Sequence, residues 1–251
     1  GDTVPAAIAV LDPKQKDCHY PYDELSGCGI GFKLVQAYCQ FHQIDMDTIL
    51  PLLDLVAVSI ASDIVPLTGE NRTLAYFGLQ QLNSNPRPGF KALMNIAATK
   101  TDLSINEIVF AIGPRINAAG RIDDAKHAVN LLIAKDEQSA FDFCEIVDSK
   151  NTERREFDQS ITLSALQLIE ENFDLHQKKS TVLFDASWHK GVIGIVASRL
   201  IEQHYKPTII LTESNGLAAG SARSVNGVHI RDVLDCIATQ HPAILSKFGG
   251  H

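Results

Sequence analysis

Apolar positions in this chain fall into two patterns: short continuous runs bounded by Gly, Pro or Asp, and longer stretches in which they return every third or fourth residue. The first pattern suits buried strands and the second suits amphipathic helices. Val4 to Leu11 (VPAAIAVL), closed by Asp12-Pro13, reads as a buried strand. Gly27 to Gly31 reads as a glycine-rich loop ahead of a helix from Phe32 to Phe41. From Asp47 to Asp63, helical spacing puts Leu52, Val56, Ser59 and Asp63 on one face, with Asp47 as the cap and Asp63 in the last turn. Gly69-Glu70-Asn71-Arg72 starts the next helix in a structural role. Ile108 to Ile112 (IVFAI) reads as a strand ended by a Gly113-Pro114 turn, and Gly120 bends the chain again before a helix carrying Asp123 and Asp124 in its first turn.

Between Arg121 and Lys190 there is neither Gly nor Pro, so most of that stretch reads as helix. Its centre, Asp148 to Glu156 (DSKNTERRE), has no apolar stripe, whereas Phe141, Cys144 and Val147 before it and Phe157, Ile161, Leu168 and Ile169 after it do. That is the pattern of a rod joining two domains, with the charge cluster as a solvated face. Beyond it the order is strand (STVLFDA), helix (VIGIVASRLIEQHY), strand (PTIILT), turn (ESNG), strand (LAAGSARSV) and helix (HIRDVLDCIATQ). This is a small α/β domain.

Composition narrows the picture in four ways. The 251 residues, 45% of them hydrophobic, suffice for one large core or two modest ones. No apolar run reaches the roughly 18 residues needed to span a bilayer. The five cysteines, Cys18, Cys28, Cys39, Cys144 and Cys236, are odd in number and lack any C-x-x-C pair, which fits a reducing cytoplasm better than a disulfide or zinc framework. The formal charge of −8 argues against a generally basic coat for nucleic acid. It leaves room for one basic groove, for which Lys33, Arg115, Arg121, Arg199 and Arg223 are candidates.

Candidate chemistry concentrates at Gly113-Pro-Arg-Ile-Asn-Ala-Ala-Gly-Arg121, which sets Arg115, Asn117 and Arg121 among backbone breakers. The Arg fork grips phosphate with two parallel hydrogen bonds, although both arginines could equally pair with carboxylates across a domain seam. Asp63, at a helix C-terminus, opposes the negative end of the dipole unless a cation compensates it, either a divalent metal or Arg72. Trp188-His189-Lys190-Gly191 lies just before a helix start, where an anion is favoured. Ser221 and Arg223 alternate along a strand and point to one face, a hydroxyl beside a guanidinium.

GPRINAAGR with the Ala-Val-x-Leu-Leu helix after it resembles the bacterial RecJ single-strand exonucleases of the DHH phosphoesterase superfamily. LSGCGIGFKL at Leu25 to Leu34, ASDIVPL with GENR at Ala61 to Arg72, WHKGVIGIVASR at Trp188 to Arg199, GSARS at Gly220 to Ser224 and FGGH at Phe248 to His251 match the same family in order. The family's Asp-x-Asp, second aspartate and Asp-His-His motifs do not occur here, and the final motif stops at His251, so the chain reads as an internal fragment.

The resemblance implies an α/β fold in three parts. Residues 1–134 would be the C-terminal part of a DHH-type parallel-sheet domain, 135–178 a connecting helix, and 179–251 a truncated DHH-associated substrate-binding domain. It implies metal-dependent 5′-to-3′ hydrolysis of single-stranded DNA in repair and recombination, with two divalent ions, Mn²⁺ or Mg²⁺, of whose ligands only Asp63 is present. Substrate phosphate contacts are implied for Arg115, Asn117, Arg121, His189, Ser221, Arg223, Gly249, Gly250 and His251. A helicase or a single-strand-binding protein is the implied kind of partner, with no membrane. Two other readings stand beside this one: a DHH phosphodiesterase for short RNA or cyclic dinucleotides, and a non-catalytic RecJ-like replication scaffold. A plain nucleotide-binding α/β domain built on the Gly27 and Gly191 loops explains neither arginine motif.

Overall fold

A computed structural model describes residues 6–98, 102–172 and 177–249. The chain divides into two compact units, Gly1–Asn151 and Thr152–His251. The division falls inside one long helix.

Every regular element described in the first unit is helical. The strand expected over Val4 to Leu11 is not formed in its described part: Ala6 to Leu11 makes bends and irregular chain, with Ile8 and Leu11 exposed. A strand needs a ladder partner for its backbone groups, and the first unit has no sheet among its described residues to supply one. Helix α1 (Gly27–Phe41) starts earlier than expected because the Ser26 hydroxyl accepts the Gly29 N–H at 3.1 Å, so the three glycines belong to the helix and not to a loop.

Pro51 lacks an N–H and splits the next stretch. Two 3₁₀ turns, Met46–Thr48 and Leu50–Leu52, precede α2 (Leu53–Ser62). Asp45 does the capping expected of Asp47, accepting the Asp47 N–H at 3.0 Å. Helix α3 (Gly69–Ser84) begins at the expected place, and buried Asn71 ties its first turn to the carbonyls of Glu24 and Pro66. Lys33 and Tyr20 both hydrogen-bond Glu70, at 2.7 and 2.6 Å. Burial alone would raise the Glu70 carboxyl, but those two hydrogen bonds outweigh it and hold it below the ordinary range.

Helices α2 and α3 pack backbone to backbone. A Cβ on Gly78 would lie 2.2 Å from the Leu53 carbonyl oxygen. Helix α4 (Pro88–Ile96) is anchored by Arg87, whose Nε and Nη2 reach the two carboxylate oxygens of buried Asp54 at 2.7 and 2.6 Å. The same guanidinium lies over the Phe90 ring. The core around these elements collects Leu82, Phe90, Leu93, Ile108, Ile112, Leu131 and Val147. A second cluster joins Phe32, Val56 and Ile60.

The expected IVFAI strand and Gly-Pro turn are both helical. Short α5 (Ile105–Glu107) runs through one π-helical stretch, Ile108–Ile112, into α6 (Gly113–Ile122). Pro114 cannot donate to the carbonyl four residues back, and the widened turn before it absorbs that loss; the Gly113 N–H bonds the Ile108 carbonyl instead. Gly113 is required for close approach, not for a turn. A Cβ there would stand 2.7 Å from Ser62 Oγ.

Helix α7 (Lys126–Ile133) leads to α8 (Glu137–Glu171), the long helix expected from the stretch without Gly or Pro. Its polar centre is not simply a solvated face. The buried stripe of Cys144 and Val147 continues through Asn151 and Asp158 to Ile161, Ala165 and Ile169, so polar side chains occupy inward positions there. The spacing of the stripe is helical throughout; only its chemistry changes.

The second unit matches its expected order. Strands β1 (Thr181–Phe184) and β2 (Thr208–Ser214) pair in parallel, and β2 and β3 (Leu217–Arg223) pair antiparallel. The β2–β3 hairpin turns on Asn215-Gly216, both at positive φ (55° and 77°), as a two-residue I′ turn requires. Helix α9 (Ile193–His204) packs on β2 and β3 and buries Ile193, Val196, Ala197 and Leu200. Helix α10 (Ile230–Gln240) follows β3. Trp188 is buried, so its ring is part of the core, and its carbonyl accepts the Thr212 hydroxyl at 2.6 Å.

Candidate functional site

In the first unit the structure separates side chains that adjoin in sequence. Arg115 and Asn117 both lie on α6, where roughly 100° per residue sends them about 160° apart. Arg115 turns inward. Its Nε donates to Asp148 Oδ1 at 2.7 Å and its Nη1 to the Ala111 carbonyl at 2.6 Å, and only 13% of its side chain is exposed. Asn117 and Arg121, one turn apart, share the exposed face. The two arginines of GPRINAAGR are therefore not set in turns, as the Gly113-Pro114 and Gly120 positions suggested. They stand on different faces of one helix.

Asp63 is the C-cap of α2, exposed, with Oδ2 accepting the Ser59 hydroxyl at 3.1 Å. The expected common face of Ser59 and Asp63 is thereby seen directly. Among the described residues no group of three or more His, Cys, Asp or Glu side chains is placed to hold a metal ion. Asp63 offers one carboxylate, and these residues on their own do not make an ion centre.

The second unit builds a more complete site from β3 and the start of α9. Cross-strand pairing sets Ser221 opposite Ile210 and Arg223 opposite Thr208, on the buried face of β2. One Arg223 Nη1 reaches the Ser221 hydroxyl at 3.1 Å and the Ala222 carbonyl at 2.8 Å. Helix α9 abuts both side chains through Gly194, where a Cβ would stand 3.0 Å from Ser221 Oγ and 3.2 Å from an Arg223 nitrogen. The α9 N-cap, Val192, supplies no side-chain cap. A hydroxyl and a guanidinium thus converge beside a helix start whose Ile193 and Ile195 N–H groups already donate to the His189 and Val192 carbonyls, at 3.3 and 2.8 Å, so the two side chains are the main donors this corner offers an oxyanion.

From this corner a groove of about 530 Å³ opens along Ser221, Arg223, Arg231, Phe248 and Gly249. Gly249 joins the site as expected; Gly250 and His251 lie outside the described residues. His189 stacks on Phe157 with ring centroids 5.0 Å apart, and its Nδ1 accepts the Gly191 N–H at 3.1 Å. That hydrogen bond leaves the neutral ring's proton on Nε2, as a donor.

Three of the five candidate groove cations are held by carboxylates: Lys33 by Glu70, Arg115 by Asp148 and Arg199 by Asp158. Arg223 is held by neutral partners. Arg231 joins the site without having been expected there, and Gly194 and Phe248 join it from within the WHKGVIGIVASR and FGGH motifs, although neither was itself given a contact. Their signals in the sequence were a glycine in the first helical turn of GVIGIV and a cation in the first turn of HIRDVLD, where the dipole disfavours it.

A family profile described as DHHA1 domain matches residues 177–251. Along its whole length the chain is 36% identical to the single-stranded-DNA-specific exonuclease RecJ of Escherichia coli (strain K12) and 38% identical to that of Bacillus subtilis (strain 168). It spans 46% of the first protein and 31% of the second, about half the length or less of these relatives. Its fold is similar to the crystal structure of RecJ in complex with Mn²⁺ from Thermus thermophilus, with a TM-score of 0.82 and 27% identity over 100% of this chain and 36% of that one. An exonuclease RecJ bound to manganese is similar at a TM-score of 0.79 and 27% identity, over 100% of this chain and 60% of that one. Similarity in both sequence and fold along the entire chain, with a DHHA1 domain over residues 177–251, makes this a RecJ-type chain.

Proposed function

We propose that this chain works within a metal-dependent exonuclease that hydrolyses phosphodiesters of single-stranded DNA from the 5′ end, in cytoplasmic DNA repair and recombination. The observation that carries the proposal is the corner where Ser221, Arg223 and Gly194 meet at the start of α9, with a groove lined in part by the same Ser221 and Arg223. Such a corner holds a terminal phosphate: the guanidinium and hydroxyl donate to its oxygens, and the helix start favours its charge. Holding the terminal phosphate fixes which strand end is presented, and so sets polarity. Within the second unit, His189, Gly249, Gly250 and His251 are further proposed phosphate contacts; Asn117 and Arg121 are proposed contacts of the first unit. Arg115 acts by positioning α6 against Asp148.

Relatives of known structure carry Mg²⁺ or Mn²⁺. When bound, two such ions supply an activated water and stabilise the leaving oxygen. In this chain Asp63 contributes one ligand, and the chain alone is expected not to cut. A helicase or a single-strand-binding protein is the partner class that would deliver single strands.

The test uses the native polypeptide that carries these residues, with Mn²⁺ and 5′-phosphorylated or 5′-hydroxyl single strands. Asp63→Ala is expected to abolish release of 5′ mononucleotides while leaving strand binding intact, and Arg223→Gln to erase the preference for a 5′ phosphate. Undiminished hydrolysis by Asp63→Ala would refute the assignment of that carboxylate. An unchanged 5′-phosphate preference in Arg223→Gln would refute the terminal-phosphate corner.

A further inference from the structure

The main chain on both sides of His189 is fixed. Trp188 is buried and its carbonyl accepts the Thr212 hydroxyl, while the His189 carbonyl accepts the Val192 and Ile193 N–H groups at 3.0 and 3.3 Å. Such anchoring leaves the ring free, because rotation about the side-chain bonds can still carry the imidazole through several orientations. Two further contacts close that choice. The Gly191 N–H donates to Nδ1 at 3.1 Å, and the Phe157 ring lies on the imidazole with centroids 5.0 Å apart and planes inclined by 17°. The stack sets the plane of the ring and the hydrogen bond sets its rotation within that plane, so together they give Nε2–H one direction.

Phe157 comes from the part of α8 that belongs to the second unit, and the residue after it grips α9. Asp158 has only 3% of its side chain exposed, and its Oδ2 accepts a hydrogen bond from Arg199 Nη2 at 2.7 Å. Its Oδ1, also buried, has no hydrogen-bond partner among the described residues. Two neighbouring side chains of α8 thus hold one segment at two points, the ring of His189 ahead of α9 and the guanidinium of Arg199 in the middle of it. Phe157 lies outside every motif that carries the family resemblance.

We infer that Phe157 is a positioning residue: it holds the His189 ring so that Nε2–H is presented to a phosphate of the bound strand, and the Asp158–Arg199 pair fixes where α8 sets Phe157 down. The inference rests on the reading of His189 as a phosphate contact, and it adds a residue that meets no substrate itself. A loose imidazole has to be ordered when the strand arrives, which weakens binding, whereas a stacked one is ordered beforehand. The ion pair supplies the register. Sliding α8 along α9 would leave the Asp158 carboxylate buried with no counter-charge, a strongly unfavourable state.

The experiment is a double-mutant cycle read by anisotropy, with the native polypeptide, a 3′-labelled, 5′-phosphorylated single strand, and EDTA to withhold divalent ions. His189→Ala is expected to weaken binding roughly tenfold, for one lost charged hydrogen bond. Phe157→Leu, a good helix former without a flat face, is expected to weaken it about three- to tenfold, the weight of one aromatic pair. Added to His189→Ala, Phe157→Leu is expected to have no further effect, because its contribution passes through the imidazole. Phe157→Tyr keeps the ring and is expected to bind as the parent does, with a thermal melt showing that each variant is folded. If Phe157→Leu binds like the parent, if its loss multiplies with that of His189→Ala, or if Phe157→Tyr loses as much, positioning is overturned and the His189 contact stands. If His189→Ala is itself without effect, the contact fails, and the role given to Phe157 fails with it.

Discussion

Gly194→Ala separates binding from stability more cleanly than any other single change in the second unit. The added Cβ would stand 3.0 Å from Ser221 Oγ and 3.2 Å from an Arg223 nitrogen, with Ser221 Cβ next at 3.6 Å. All three neighbours belong to side chains, so the clash is relieved by moving Ser221 and Arg223 and not by moving the sheet. Replacing Gly by Ala in a helix gains up to about 1 kcal/mol, and crowding of two side-chain tips offsets part of that. For a domain of roughly 100 residues the melting temperature is then expected to hold or to rise by a few degrees. Binding moves the other way. Shifting the guanidinium and hydroxyl out of register with the helix start forfeits at least one charge-assisted hydrogen bond, about 1.5–3 kcal/mol, or roughly 10- to 150-fold in Kd. The assay pairs a thermal melt with anisotropy titration of a 5′-phosphorylated single strand. A variant that melts normally and binds as tightly as the parent would show that this corner does not hold phosphate.

Three further outcomes follow. Asp54→Asn leaves the Arg87 guanidinium without its counter-charge beside a side chain only 1% exposed, and urea unfolding is expected to show a loss of about 3–5 kcal/mol; a loss under about 1 kcal/mol would mean solvent reaches the pair. Gly78→Ala drives a methyl to 2.2 Å from the Leu53 carbonyl oxygen, which cannot swing aside, so α2 and α3 are forced apart at a cost of about 3 kcal/mol, read from the shift in denaturation midpoint. Burial pushes the Cys144 thiol up to about 11, while Cys18 and Cys236 are exposed. Alkylation at about pH 8 followed by peptide mapping is expected to label Cys18 and Cys236 and spare Cys144 until denaturant is added.

Much of the second unit was legible in the sequence because its signals are local. Asn215-Gly216 can adopt two positive φ angles at little cost, which sets the hairpin and hence its register. Strand alternation puts Ser221 and Arg223 on one face, and the register sets them opposite Ile210 and Thr208. The long helix was legible for a similar reason, since nothing between Arg121 and Lys190 interrupts helical geometry. Family membership was legible too, in ordered motifs whose residues can be compared without knowing where any of them points.

The first unit departs from expectation where local signals were ambiguous. IVFAI and VPAAIAVL carry β-branched apolar runs that suit a strand only if a partner strand lies alongside. In IVFAI the neighbours are helices, and Pro114 is accommodated by one widened turn. GPRINAAGR left open whether its arginines grip an anion or pair with carboxylates; helical winding sends Arg115 inward to Asp148, the second alternative, while Asn117 and Arg121 face outward. Local chemistry along the chain was thus enough for the order of elements in the second unit, the hairpin, the long helix and the family. Folding in three dimensions was needed to choose which cations carboxylates already neutralise, and to bring Gly194 against Ser221 and Arg223 and set Arg231 and Phe248 along the same groove. Most of those pairings join residues tens of positions apart, and no local propensity encodes which distant side chain will arrive.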